Sequence, residues 1–246
     1  MNKSKVYDLP TRLFHWLFAG LFVAAYAIAQ LTDDESPWFS QHMLLGMILF
    51  VTTLLRVVWG IFGSRYARFS SFPLNPLRLM GYFREILSTK GRTYFAHNPA
   101  SAWAAVAMMG LALGLGVTGY LMASGQKEAF EDIHELMANA FAFVVVAHVA
   151  GLVLHSLRHR DGIALSMIHG RKDNEEGASP IASSHRFVAM GMAGIIGLFA
   201  FHIYKNYDAA QATTSVFGVK LQLGENESEE HQGNTKEGAE HEDDDD

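Results

Sequence analysis

Among the 12 histidines in this 246-residue chain, His15, His42, His134 and His148 stand in or at the edge of long stretches without a charged side chain. An ionisable ring in apolar surroundings is costly unless its nitrogens find partners, so such residues are the first candidates for function. A neutral ring nitrogen is also the commonest protein ligand for a transition metal. One histidine of this kind is as readily explained by a hydrogen bond in a packed interior; a set at ordered depths is harder to explain that way. The chain has no cysteine, which excludes a disulfide framework, Cys-ligated zinc, iron–sulfur clusters and covalently attached c-type haem. Any metal must be held by His or carboxylate.

The elements that would position these rings follow from the charge gaps. Arg12 to Asp33 encloses 20 uncharged residues, Glu35 to Arg56 another 20, Arg92 to Lys127 34, Glu135 to Arg158 22 and Arg186 to Lys205 18. A helix needs about 20 residues to cross a bilayer. Backbone in hydrocarbon satisfies itself only as a helix or a closed barrel, and these runs are continuous rather than alternating. They predict an all-α integral membrane protein with five crossings. The N-terminus, residues 56–98 and residues 157–186 hold 15 of the 19 Lys and Arg, which puts those segments on the cytoplasmic side and the C-terminus opposite. Trp16, Trp38, Trp59 and Trp103 fall near segment ends, as interfacial anchors do. Lys3 and Lys5 before an apolar run ending Ala27-Ile28-Ala29 also resemble a cleavable signal peptide, but that run is long enough to span, and retention is expected. After Pro73 and Pro76, Leu79, Met80, Phe83, Ile86 and Leu87 recur at helical spacing and predict a short surface helix.

Topology then gives each histidine a depth. His15 lies in the cytoplasmic half of the first segment, His42 near the outer start of the second and His134 near the outer start of the fourth. His148, 14 residues on from His134, lies about 21 Å deeper and within about 40° of the same helix face. Two cross-bundle pairs result, His42 with His134 and His15 with His148, although depth alone leaves His155 as an alternative partner for His15. Imidazoles facing one another across a helical bundle suit a low-spin haem. Zinc would want three or four ligands at one point. Gly46, Gly110, Gly114, Gly116 and Gly119 either make room for a flat macrocycle or let helices approach closely.

Asp8-Leu9-Pro10-Thr11-Arg12-Leu13-Phe14-His15-Trp16, His42 with Gly46, Arg56-Val57-Val58-Trp59-Gly60, Ala96-His97-Asn98-Pro99-Ala100-Ser101, and His134-Glu135 followed by His148 together resemble the bacterial cytochrome b561 family, which includes b-type subunits of nickel–iron hydrogenases. The resemblance covers about residues 5–173. It implies a four-helix membrane bundle with two b haems (protohaem IX) ligated at His15, His42, His134 and His148, and it favours His148 over His155. It also implies electron exchange between the quinone pool and a periplasmic redox partner in a bacterial inner membrane, as part of a respiratory chain, and no nucleic-acid partner.

On this reading residues 1–173 form the haem-binding unit, 174–185 a linker, 186–204 a fifth transmembrane helix, and 205–246 a disordered extracytoplasmic tail with 12 acidic residues against three Lys. The tail either is a solvated segment with no role of its own or, on the sharper reading, attracts a basic periplasmic c-type cytochrome by its charge. Arg12, Arg56 and Arg92 are candidates to pair with haem propionates, and Asp132, Glu135 and His97 to line a quinone pocket; His185 and His202 read as interfacial. Two other classes compete. One is a haem-free membrane anchor for a periplasmic enzyme. The other is a cation transporter, for which the spans lack buried Asp or Glu and broken helices.

Overall fold

A computed structural model describes residues 3–33, 35–87, 97–159, 165–173 and 179–224. It is mostly helical, and four helical stretches are long and apolar enough to cross a membrane. The first two are α1 (Leu9–Leu31) and α2 (Phe39–Phe62). A short helix, α3 (Pro76–Leu87), matches the expected surface segment. The third long stretch runs from Pro99 to Leu157, 59 residues, far more than one crossing needs. It is α4 (Pro99–Leu121), a π turn at Met122–Gln126, and α5 (Lys127–His159). Gly125 in that turn takes φ +95°, a left-handed conformation open to glycine at little cost, and reverses the chain. As a result His134 lies against Gly119, and a Cβ on Gly114 would overlap Met137. After α6 (Ser166–His169), the last long helix is α7 (Arg186–Lys205), packed on α1 and α2.

Helix starts are set locally. Asp8 caps α1 by accepting from the Thr11 backbone N–H at 2.9 Å, and Asn98 caps α4 by accepting from that of Ser101 at 2.8 Å. Each is followed by proline in the first turn. Two small antiparallel sheets add to the helices. β1 (Lys3–Lys5) pairs with β2 (Arg171–Asp173), fastening the N-terminus to the chain beyond α6. β3 (Thr213–Val216) pairs with β4 (Val219–Gln222) through a two-residue turn in which Phe217 and Gly218 both have positive φ, the geometry that matches strand twist.

This second sheet corrects two expectations, an all-α fold and disorder throughout residues 205–246. Leu221 and Leu223 are buried with Leu44 and Ile48 of α2, Ala123 of the π turn, and Ile196 and Ile203 of α7. The Thr214 hydroxyl donates to the Ile203 carbonyl at 2.8 Å. The acidic average over 42 residues concealed the alternation Val219, Leu221, Leu223 that gives the hairpin an apolar face. Residues 225–246, where most of the acidic side chains fall, lie outside the described residues. The expected linker is also tied down where it is described: the Ile181 N–H donates to Lys5 and Ser184 accepts from Leu9.

Leu221 is 1% exposed. Leu221→Ala should therefore destabilise the hairpin by about 2–4 kcal/mol. Limited trypsin digestion of the detergent-solubilised protein should then cut after the neighbouring Lys220 at least tenfold faster than in wild type.

Candidate functional site

Helices α1, α2, α4 and α5 bring the four histidines into two groups. At one level the rings of His42 and His134 have centroids 6.2 Å apart and planes at 77°. Each ring is oriented by an oxygen from another helix. His42 Nδ1 lies 2.9 Å from the carbonyl of Ala25 on α1, so Nδ1–H donates and the lone pair belongs to Nε2. His134 Nδ1 lies 2.8 Å from the Thr118 hydroxyl of α4. That hydroxyl also donates to the Gly114 carbonyl at 3.0 Å, which leaves its oxygen to accept from His134 Nδ1–H. Both imidazoles thus take the same tautomer.

At the second level His15 of α1 and His148 of α5 are electrostatic neighbours. The sequence alone left His155 open as an alternative; it is buried two turns farther along α5. Phe141 stands seven residues from both His134 and His148 and is fully buried between the levels. Its ring stacks on Phe22 at 3.9 Å and lies 5.5 Å from Phe18.

Beyond the second level, at the end of the bundle rich in Lys and Arg, lies a group the sequence did not assemble. His97 packs against Phe72 at 4.5 Å and edge-on to Tyr7 at 5.4 Å. Burial, helped by Arg56, Lys172 and His148, pushes its pKa down to about 3, so it is a neutral imidazole. Burial likewise pushes the Tyr7 phenol up. Arg56 sits inside α2 at 3% exposure, although its charge made it look like the end of a span. Of the other arginine candidates, Arg12 donates to the carbonyls of Met167 and Ile168, and Arg92 lies outside the described residues. Asp132 and Glu135 are exposed near His134. His185 lies edge-on to Trp59 at 5.3 Å, and His202 stacks on Phe217 at 5.5 Å.

The model of the family described as prokaryotic cytochrome b561 matches residues 6–170. The chain belongs to this family. No curated protein and no solved structure matches it. Membership implies a multi-pass, lipid-embedded helical bundle that transfers electrons across a membrane by b-type haem. The residues present fit such a group. The rings of His42 and His134, 6.2 Å apart, leave room for one metal ion that both would hold through a ring nitrogen. The glycines divide by role: a side chain at Gly114 or Gly116 would strike Met137 or Phe50, so these serve helix contact. Gly46 and Gly110 face open space, and Gly119 borders His134. Among the described residues no three of His, Asp and Glu gather as a metal site.

Thr118 was missed because its role depends on the reversal at Gly125. It and His134 lie 16 residues apart, symmetric about Gln126, so the hairpin geometry was the signal that would have found it. Thr118→Val should leave His134 Nδ1 unpaired, costing about 1–3 kcal/mol of stability, and would weaken retention of a haem held at this level by about 10–100-fold. Thermal unfolding and haem loss on dilution would measure both, with Thr118→Ser close to wild type.

Proposed function

We propose that the chain conducts electrons across a bacterial inner membrane through two b haems, one between His42 and His134 and one between His15 and His148. The observation that carries this reading is the His42–His134 pair, with centroids 6.2 Å apart and each Nδ1 engaged by an oxygen of a neighbouring helix. A haem iron held there would supply a one-electron couple, with its potential set by the histidines that hold it, their hydrogen bonds and the surrounding dielectric. Phe141, Phe18 and Phe22 fill the space between the levels with packed aromatic side chains and exclude water from it.

Counting α4 and α5 as separate crossings gives five, with α7 as the fifth. The side with most of the Lys and Arg would then be cytoplasmic, and the β3–β4 hairpin and C-terminus periplasmic. Electrons would pass between the quinone pool and a periplasmic redox protein, the exchange the family resemblance implies. Residues 225–246 carry 11 acidic side chains and one Lys, a charge that would steer a basic c-type cytochrome toward the His42–His134 end.

Pyridine haemochrome analysis of purified protein should give two haems per chain. His42→Ala or His134→Ala should each reduce the count to one, and so should His15→Ala or His148→Ala, with a different component lost from the reduced-minus-oxidised spectrum. Wild-type protein without haem, or a His42→Ala variant that keeps both, would overturn the assignment. Removing residues 225–246 should leave the haem count at two and flatten the ionic-strength dependence of electron transfer to a basic c-type cytochrome.

A further inference from the structure

The end of the bundle rich in Lys and Arg holds a guanidinium that no carboxylate of the described chain neutralises by contact. Arg56 is 3% exposed, with its guanidinium 5.5 Å from the ring of Phe14 and 5.3 Å from that of Phe69. One of its nitrogens, Nη2, donates to the Ala67 carbonyl at 3.0 Å; the other, Nη1, is buried without a hydrogen-bond partner. Asp8 is the carboxylate within its electrostatic reach. Both Asp8 oxygens are engaged elsewhere, Oδ1 by the Thr11 N–H at 2.9 Å and Oδ2 by the Trp59 indole N–H at 3.1 Å. Close by, His97 Nδ1 is also buried without a partner, as is the Thr11 hydroxyl one turn before His15. Native proteins rarely leave several buried polar groups unmet in one place, and a charged one least of all.

We propose that Arg56 and His97 line a carboxylate-binding site that takes a propionate of the haem at the His15–His148 level. This rests on the haem reading above. What the unpartnered atoms have in common is a need for an acceptor. Arginine offers a planar fork that matches a carboxylate, and the neutral His97 ring offers one N–H beside it. The source of the carboxylate is near, because His97 is an electrostatic neighbour of both Arg56 and His148, and Phe14, which packs under the guanidinium, directly precedes His15. Arg12 is not available for this purpose, since it donates to Met167 and Ile168. A free anion such as phosphate would satisfy the same donors.

The test uses the full-length, haem-loaded protein in lipid nanodiscs, with haem count, redox titration and resonance Raman spectra of the propionate bending bands. Arg56→Gln should keep two haems, lower the midpoint potential of one only, because a positive charge beside it favours the ferrous state, and shift one propionate band. Arg56→Lys should restore most of the potential. His97→Phe should shift the same band, and it carries the test if Arg56→Gln does not assemble. Two haems with unmoved potentials and bands in both Arg56→Gln and His97→Phe would overturn this inference alone. Wild-type potentials that follow phosphate concentration, with no change in the propionate bands of the variants, would assign the site to a free anion and overturn it. Wild-type protein that binds no haem would overturn the haem reading, and this inference with it.

Discussion

An imidazole surrounded by hydrocarbon must find a partner for both ring nitrogens, and the bundle is arranged around that requirement. At the His42–His134 level one nitrogen of each ring is satisfied from a third and a fourth helix: the Ala25 carbonyl of α1 and the Thr118 hydroxyl of α4. A helical carbonyl already accepts from its own helix, but its second lone pair can take a further donor. Thr118, bonded back to Gly114, is held in one rotamer and presents a fixed oxygen. Four helices are therefore in register at this level to within the tolerance of a hydrogen bond. The close contacts of Gly114 with Met137 and Gly116 with Phe50 follow from that demand, since bulkier residues there would push α4 away from the rings it orients.

The two ends of the bundle are closed by different means. At the end rich in Lys and Arg, β1 pairs with β2, and Val6 and Tyr7 donate to the Gly170 carbonyl, so the first strand and the segment after α6 form one lid over the α1 start. At the opposite end the β3–β4 hairpin folds over α2, α7 and the π turn, burying Leu221 and Leu223. Helix α7 links the two closures. Its first residues follow the segment bonded to Lys5 and Leu9, its Tyr204 hydroxyl donates to Gln41 at 2.9 Å beside His42, and its last turn receives the Thr214 hydroxyl. A helix outside the family match thus braces the entry of α2, and with it the position of His42.

Charge gaps located the spans because a charge within hydrocarbon costs several kcal/mol, but they measured the apolar slab rather than the helices. Helix α2 continues past Arg56 to Phe62, and α5 begins at Lys127, eight residues before Glu135 opens the fourth gap. The histidine pairs were legible because helical rise and rotation are fixed quantities, so spacing in sequence became depth and face. Thr118, Arg56 with His97, and the hairpin were not legible in the same way. Each depends on a contact between segments distant in sequence, and composition gives no hint of which polar atoms will be left without partners once the chain has packed.

Helix α5 contributes one ring to each level, and this makes the distance between levels a property of a single rigid element. Packing can vary where α1 and α2 sit beside it, yet His134 and His148 stay about 21 Å apart along the axis. A residue inserted between them would turn His148 by about 100° away from His15 while leaving His134 in place, whereas an insertion in the loop after α1 would leave both faces aligned. Phe141, midway along the same span and stacked on Phe22 at 3.9 Å, lies on nearly the same face of α5 as both histidines. The element that fixes the separation of the two levels thus also supplies a packed ring between them.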